Sequence, residues 1–221
     1  MSLLQEEMFA TLRQYSYVFD VETPIWEILR NLNSLIQRLV ERNQGPVHKS
    51  AFVHEHAIIS NSYIGKGAQV YEGCTVRDSI VLDHAIIGHG SEVARSLLLS
   101  SCVVPRFNYV GGSFLGERVH LGGGVMLATR RHDNRLIVIQ WGQRQIRTDL
   151  PSFGSIVGDD VIISYNSHVN PGTVIGNNSL IMPMTDVRGY IPPNSLVVLK
   201  QKYTVMKRRP FPDLDVLDDM A

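Results

Sequence analysis

The sequence has no surplus of either charge and no long apolar run. Its 221 residues carry 21 Lys and Arg against 21 Asp and Glu, so the formal net charge is zero. Proteins that bind nucleic acid or anionic membranes through their overall charge usually carry a basic surplus. No stretch reaches the roughly 20 apolar residues of a membrane span. We therefore expect neither a nucleic acid nor a membrane as a partner.

Cysteine is scarce as well. The two cysteines, Cys74 and Cys102, are too few for a disulfide framework. We interpret them as buried, unreactive thiols in a reducing compartment. The first residues include Glu6 and Glu7, where a secretory signal peptide carries a basic start followed by an apolar run. These features together predict a cytoplasmic protein.

Residues 24–43 have the apolar spacing of an amphipathic helix. The apolar positions are Ile25, Ile28, Leu29, Leu32, Leu35, Ile36, Leu39 and Val40. Thr23 is a candidate N-cap, and Pro24 suits the first helical position because its missing N–H costs nothing there. Gly45 follows the helix end. We treat residues 1–46 as a helical N-terminal segment.

After residue 46 the apolar pattern becomes a repeat of six. Aliphatic residues recur in steps of six or five at Val47, Val53, Ile59, Ile64, Val70, Val76, Leu82, Ile87, Val93, Leu98, Val104, Val110, Leu115, Leu121 and Leu127. The ladder resumes in steps of six at Val157, Ile163, Val169, Ile175, Ile181 and Val187.

This period matches neither a helix nor an ordinary strand. It indicates three-sided coils in which each unit gives one short strand and one corner, with aliphatic side chains inside and Gly or small polar residues at the corners. We predict a mainly β fold, a left-handed parallel β-helix over residues 47–198 with about 18 residues per coil and about seven coils.

Residues 128–155 break the repeat and predict one long projecting loop. A hairpin is expected around 136–143. The loop concentrates positive charge at Arg130, Arg131, Arg135, Arg144 and Arg147. Guanidinium groups bind phosphate well, so we expect a phosphate-bearing ligand here. Residues 199–221 form a tail, basic and then acidic, for which we expect a loose extension.

Hexapeptide-repeat solenoids of this kind resemble the trimeric acyltransferases that use acetyl-CoA. The chain is similar to the acetyltransferase half of bifunctional sugar-1-phosphate nucleotidyltransferases, which acetylate glucosamine-1-phosphate and then make UDP-N-acetylglucosamine. The resemblance covers about residues 50–198, and the segments that carry it are 106–113 (RFNYVGGS), 121–124 (LGGG), 131–134 (RHDN), 155–160 (SIVGDD) and 170–176 (NPGTVIG).

The resemblance implies a homotrimeric transferase that uses acetyl-CoA or another acyl-CoA as co-substrate. It implies a phosphate-bearing sugar or a nucleotide sugar as the other substrate, and no required metal. The nucleotidyltransferase half has no room in residues 1–46, and we expect no pyrophosphorylase activity.

The resemblance also assigns site residues, with three departures at the chemical centre. A family Lys falls at Ala94, beside Arg95, and a family Asn near the acetyl group falls at Thr129. The family's catalytic His falls at Arg106, which stays protonated and cannot act as a general base. It retains the capacity to bind phosphate or to stabilise an oxyanion. His120 is the alternative candidate for the base, and His132 in the loop is a weaker one. The substrate-binding candidates are Arg77, Asn108, Tyr109 and Arg131, and the cofactor-binding candidates are Gly123, Gly124, Thr129, Ser164 and Tyr165.

Two other functions stay open. The lost His favours a non-catalytic homologue that binds a sugar nucleotide or CoA, or serves as a scaffold. Trimeric β-helices also resemble γ-class carbonic anhydrases, and His84 and His89 have the five-residue spacing of their zinc ligands. A third ligand has no clear candidate in the sequence.

Overall fold

The computed structural model describes residue 5 and residues 8–208. A 3₁₀ helix (Leu12–Tyr15) and two α-helices, α1 (Ile25–Arg30) and α2 (Leu32–Asn43), precede the strands. The strands are β1 (Phe52–Val53), β2 (Ile58–Ser60), β3 (Tyr63–Ile64), β4 (Gln69–Val70), β5 (Thr75–Arg77), β6 (Ile80–Val81), β7 (Ile86–Ile87), β8 (Glu92–Ala94), β9 (Leu97–Leu98), β10 (Val103–Val104), β11 (Tyr109–Gly111), β12 (Phe114–Leu115), β13 (His120–Leu121), β14 (Met126–Leu127), β15 (Val138–Trp141), β16 (Arg144–Arg147), β17 (Ile156–Val157), β18 (Ile162–Ile163), β19 (His168–Val169), β20 (Val174–Ile175), β21 (Leu180–Ile181), β22 (Asp186–Val187), β23 (Tyr190–Ile191) and β24 (Leu196–Val197).

The predicted left-handed parallel β-helix is confirmed, and its three faces are three parallel sheets. The covered sheet contains β3, β6, β9, β12, β17, β20 and β23; the apolar sheet contains β1, β4, β7, β10, β13, β18, β21 and β24; the polar sheet contains β2, β5, β8, β11, β14, β19 and β22. The eighth strand of the apolar sheet makes the coil count slightly higher than expected. A separate antiparallel hairpin joins β15 and β16.

The aliphatic ladder fills the interior of the coil, with one correction. Val81 points inward, whereas Leu82 belongs to the outer cluster beneath the N-terminal segment. Hydrogen-bonded neighbours before the projecting loop are 17 residues apart, and some after it are 18 apart. The early coils are therefore one residue shorter than predicted. The inner residue on the polar sheet and the next inner residue on the covered sheet are five positions apart, not six.

A column of serines occupies that short step, and we call it the serine corner: Ser62, Ser79, Ser96 and Ser113. Each hydroxyl donates to a backbone carbonyl two residues earlier. Each also accepts the backbone N–H of the residue one coil further on, at 3.0–3.1 Å. The last of these donors is Ser155, on the far side of the projecting loop. The column therefore satisfies buried N–H groups that would otherwise lack partners.

The outward side chains of the covered sheet are apolar and need a cover. Tyr63, Ile80, Leu97, Phe114, Ile156 and Val174 form one cluster with the N-terminal segment. Phe9 and Phe19 pack edge-on against Phe114, with ring centroids 5.2 and 6.0 Å apart. The hairpin also packs on this cluster through buried Ile139 and Trp141, so the loop folds back over the solenoid as well as projecting from it.

The N-terminal segment is also tied down by hydrogen bonds around Asp159. The backbone N–H of Asp159 donates to the Met8 carbonyl at 3.0 Å, and its carboxylate accepts from the Glu117 N–H at 2.8 Å and from the Thr11 hydroxyl at 3.4 Å. Tyr15 donates to Glu117. Burial raises the pKa of both Asp159 and Tyr15. This network fixes the segment to the corner between the covered and apolar sheets.

The helical segment differs in detail from the prediction. The expected single helix is divided at Asn31, whose φ of −99° and ψ of 16° interrupt the helical backbone. Pro24, not Thr23, occupies the N-cap position, without a side-chain cap. The second helix ends as expected, before a left-handed residue, Gln44.

Three remaining expectations concern the cysteines, the membrane and the tail. Cys74 and Cys102 are free and buried, as predicted, and burial raises the pKa of both thiols. No helix in the described part of the chain is long and apolar enough to cross a membrane. Residues 199–208 form no regular element and are exposed. The acidic end of the predicted tail, from Asp213 onwards, lies outside the described residues.

Replacing Ser113 by Ala tests the serine corner. The change strands the buried N–H of Ser155, and an unsatisfied buried donor costs about 1–3 kcal/mol. We expect urea-induced unfolding to report a loss of this size. Ser34→Ala, on the exposed surface of α2, is the control and should shift stability by less than about 0.5 kcal/mol. Equal losses in the two variants would contradict a structural role for the column.

Candidate functional site

The two uncovered faces of the solenoid have different chemistry. The outward residues of the apolar sheet are Phe52, Gln69, Ile86, Val103, His120, Ile162, Leu180 and Leu196. The polar sheet carries two outward columns: Ile58, Thr75, Glu92, Tyr109, Met126, His168 and Asp186, and, two positions later in each strand or just after it, Ser60, Arg77, Ala94, Gly111, Ala128, Asn170 and Arg188. The ionisable side chains are therefore concentrated on the polar sheet.

The corner between these two faces brings six of the predicted site residues together. We call it the site corner: residues 105–108, 122–125 and 164–167 in three successive coils. A Cβ on Gly123 would lie 3.4 Å from Cγ of Arg106 in the coil before. A Cβ on Gly122 would lie 2.3 Å from the Tyr165 backbone nitrogen in the coil after, beside Ser164. Arg106, Gly123, Gly124, Ser164 and Tyr165 are thus stacked neighbours.

The three glycines differ in their freedom to bind a ligand. The N–H of Gly122 donates to the Ile163 carbonyl at 2.6 Å, and that of Gly124 donates to the Arg106 carbonyl at 3.1 Å. Gly124 also has a φ of 75°, which favours glycine. For the N–H of Gly123, no acceptor exists within the described residues. Within the described residues, Gly123 therefore offers a free backbone donor, as do Arg106 and Tyr165 at the equivalent positions of the neighbouring coils.

Tyr109 and Thr129 meet on the polar sheet. A Cβ on Gly111 would lie 2.7 Å from the Tyr109 hydroxyl and 2.5 Å from Cγ2 of Thr129. The absent side chain at Gly111 lets the Tyr109 ring lie along the sheet. Arg77 lies two coils earlier, where its Nε donates to Glu92 at 3.0 Å. Glu92 in turn lies directly beside Tyr109 in the strand register.

Asn108 lies within the site corner but is buried there, whereas His120 lies on a different face. Asn108 is buried at 3% exposure, and its Oδ1 accepts the Val125 N–H at 2.7 Å. Its Nδ2 has no partner within the described residues. His120 is exposed on the apolar sheet, between Val103 and Ile162. His120 and Tyr109 of the same chain therefore lie on different faces of the coil. The roles of Asn108 and His120 stay predictions.

The projecting loop and the last coils enclose a cavity of about 640 Å³, which we call the loop pocket. Its lining residues are Ala128, Arg130, Arg131, His132, Asp133, Val138, Gln140, Asn170, Pro171, Gly172, Arg188 and Gly189. Two of the five loop arginines, Arg130 and Arg131, line it, whereas Arg144 and Arg147 lie exposed on the hairpin.

The cations of the loop pocket are not equally available. Arg131 binds both oxygens of Asp133, at 2.8 and 2.6 Å, and this pair holds the pKa of Asp133 well below its usual range. Arg188 makes a single contact with Asp186, at 2.9 Å. Arg130 forms no hydrogen bond or ion pair within residues 8–208. An incoming anion therefore finds Arg130 free and Arg188 partly free, while Arg131 is occupied by Asp133.

Several charged residues of the polar sheet escaped the sequence prediction, notably Glu92, His168, Asp186 and Arg188. The ladder contains the signal, because the residue before each inner position points outward. His168 precedes Val169 as Tyr109 precedes Val110, and pairing through β14 places the two on the same face. Assigning each inner position to one of the three faces would have found His168.

The proposed zinc ligands lie apart. His84 sits on the corner between the covered and apolar sheets, and His89 lies on the site corner's side of the coil, against Phe107. Among the described residues, no group of three or more His, Cys, Asp or Glu side chains could hold a metal ion. The structure therefore does not assemble a metal centre around this pair within the described chain.

The fold defines the chain as a left-handed β-helix of the hexapeptide-repeat type. In sequence, a family model of the GMPPB C-terminal domain matches residues 42–131. The chain is 26% identical over 121 residues to the bifunctional protein GlmU of Methanococcus aeolicus, covering 55% of this chain and 29% of the relative. It is 24% identical over 193 residues to the GlmU of Methanocaldococcus jannaschii, covering 81% and 47%. The resemblance to the acetyltransferase half of such bifunctional proteins is confirmed, and the chain spans less than half the length of these relatives.

The solved structures that match the chain do so at low identity and low TM-score. Perosamine N-acetyltransferase from Caulobacter crescentus, in complex with CoA and GDP-perosamine, is 19% identical with a TM-score of 0.36, covering 75% of this chain and 61% of that chain. AntD, an N-acyltransferase from Bacillus cereus in complex with dTDP-4-amino-4,6-dideoxyglucose and coenzyme A, is 16% identical with a TM-score of 0.36, covering 83% and 94%.

Two alanine substitutions test how closely the glycines of the site corner are packed. Gly122 is tightly packed between coils, and Gly123 has room for a side chain. Gly122→Ala places a Cβ 2.3 Å from the backbone of Tyr165, so we expect a loss of about 2 kcal/mol or more in unfolding free energy. Gly123→Ala meets only the flexible Arg106 side chain at 3.4 Å and should cost less than about 1 kcal/mol. Chemical denaturation measures both, and a reversed order would contradict the stacking described here.

Proposed function

We propose that the chain is an acyltransferase that moves an acyl group from acyl-CoA to a sugar phosphate or a nucleotide sugar. The observation that carries the proposal is the arrangement along the polar sheet. Tyr109 lies between the site corner, which holds Arg106 and Gly123, and the opposite edge of the sheet, which holds Thr129 and the cationic loop pocket. The curated relatives support it, because they are bifunctional nucleotidyltransferase/acetyltransferases whose acetyltransferase half this chain resembles.

The site corner supplies the means to stabilise the transition state. In acyl transfer, an acceptor amine or hydroxyl attacks the thioester carbonyl, and negative charge develops on the carbonyl oxygen. Preorganised donors aimed at that oxygen are commonly the largest catalytic contribution. The free N–H of Gly123 and the exposed guanidinium of Arg106 are such donors. In this proposal Arg106 stabilises the oxyanion. It occupies the position of the family's histidine but does not act as a base.

The acceptor is anchored through its negative charge. Arg130 and Arg188 in the loop pocket, with Arg77 further down the polar sheet, provide cations along one continuous face. Tyr109 gives an amphipathic surface for a sugar ring between them. Arg131 belongs to the same pocket, and ligand binding there requires exchange of its bond with Asp133.

The homotrimer is part of the same proposal. The covered sheet is already occupied by the chain's own N-terminal segment, which leaves the apolar sheet as the surface for self-association. Phe52, Ile162 and Leu196 are 49%, 45% and 63% exposed there. Contiguous exposed apolar surface of this kind marks interaction sites. Assembly through the apolar sheet brings each site corner to an interface between copies.

Free thiol release from acetyl-CoA tests the activity. We expect turnover with at least one member of a panel of amino-sugar phosphates and nucleotide amino sugars, and we expect Arg106→Ala to lower kcat by about 10²-fold because an oxyanion donor is lost. Ligand-induced thermal shifts without any turnover would instead support the non-catalytic binding homologue. No turnover and no shift with any CoA would overturn the proposal.

Ile162→Asp tests the assembly surface. Placing a carboxylate in the centre of the apolar sheet should convert the trimer to smaller species, because a buried unpaired charge is costly. Light scattering after size-exclusion chromatography measures the mass. Ile58→Asp, at a position 62% exposed on the polar sheet, is the control and should leave the trimer intact. A wild-type monomer at micromolar concentration would contradict the trimer.

A further inference from the structure

The proposed reaction lacks a group that takes up the acceptor's proton. Arg106 stays charged at any working pH and cannot accept a proton. His120 lies on the apolar sheet, not on the face that carries Tyr109 and the loop pocket. An amine or hydroxyl acceptor must nevertheless lose a proton as it attacks. The polar sheet is therefore the place to search for the base.

Within the described polar sheet, His168 is the histidine that points outward. It is the first outward residue of β19 and is exposed. It pairs with Met126 on one side, and Met126 pairs with Tyr109. Two strand spacings of about 4.8 Å put His168 roughly 10 Å from Tyr109 along the column. A sugar ring held against Tyr109 with its reactive group directed along the column would reach the imidazole.

On its other side His168 has a held carboxylate. Asp186 is its register partner on β22. Asn170 Nδ2 donates to one oxygen of Asp186, and Arg188 Nη2 donates to the other at 2.9 Å. Both oxygens of Asp186 are therefore already bound, and the exposed His168 side chain lies beside this network.

The loop pocket lies next to the same histidine. Asn170, two residues after His168, and Arg188, two residues after Asp186, both line that pocket. Arg130 faces them across it without a partner in the described chain. An acceptor whose phosphate occupies the pocket would have its remaining atoms close to His168. The arginines of the loop pocket and His168 are thus parts of one surface.

We propose, on the basis of the acyltransferase function above, that His168 is the general base of the reaction. The acceptor nitrogen or oxygen bonds to the thioester carbonyl carbon, and its proton passes to the neutral imidazole of His168. The carbon–sulfur bond then breaks, and the imidazolium returns the proton to the CoA thiolate. The products are the acylated sugar and free CoA, and His168 ends neutral.

Kinetics of His168→Gln, with the acceptor that the wild type turns over, test this assignment. We expect kcat to fall by about 10²–10⁴-fold, the usual contribution of a general base, while KM changes by a few fold. The wild-type rate should fall on the acid side as the imidazole becomes protonated, and this limb should disappear in the variant. The charged groups that face His168 are Asp186, Arg188 and Arg130, and Arg188→Gln should retain the acid limb.

A matched control and a rescue separate chemistry from folding. His84→Asn replaces an exposed histidine on the opposite corner, where the positive φ of 59° suits Asn, and should keep kcat within twofold. Added imidazole should restore part of the activity of His168→Ala. A wild type that turns over while His168→Gln keeps both its rate and its acid limb would overturn the assignment and leave the proposed function standing. A wild type without turnover on any acceptor would overturn both.

Discussion

Burial of one aliphatic side chain every five or six residues is the constraint on which the rest of the structure depends. Each fully buried Val, Leu or Ile contributes about 1.5–3 kcal/mol, and the inner column runs with few interruptions from Ile64 to Val187. Because side chains alternate along each short strand, fixing the inner residue also fixes the residues on either side of it as outward. The outward columns of all three faces, and so every proposed site residue on them, follow from this packing.

The three faces of the coil then have three different surroundings. Apolar outward residues on one sheet are covered by the N-terminal segment and the hairpin. Those on the second remain open and are the proposed surface between copies. Charged and aromatic side chains collect on the third, next to the loop pocket. One repeat with a constant interior can therefore combine a stable cover, an assembly surface and a reactive surface, because each needs only a change at the outward positions.

The sequence predicts the interior well and the outer layers less well. The ladder identified the fold because burial restricts the inner positions to aliphatic residues, and it failed at Leu82, where two adjacent aliphatic residues, Val81 and Leu82, are both buried in different clusters. The break at Asn31 has no signal in the apolar spacing, which continues across it at Ile28, Leu29 and Leu32.

The site shows the same division. Arg106 and the glycines of the site corner follow from local motifs and are neighbours in space. The pairing of Arg131 with Asp133, and the freedom of Arg130, depend on the conformation of the loop, which the repeat does not encode. His168 follows from the ladder only once its neighbour Val169 is assigned to the same face as Val110. Short sequence motifs therefore predict the residues of the site corner. The residues that share the polar sheet can be identified only once the coil is assembled.

The central claim is that ligands bind along the site corner, the polar sheet and the loop pocket. Hydrogen–deuterium exchange with and without acetyl-CoA and an amino-sugar phosphate tests it directly. The account predicts slower exchange in residues 122–133, 164–172 and 186–189, with unchanged exchange in α1 and α2. Protection confined to the N-terminal helices, or no protection in those three segments at saturating ligand, would contradict it.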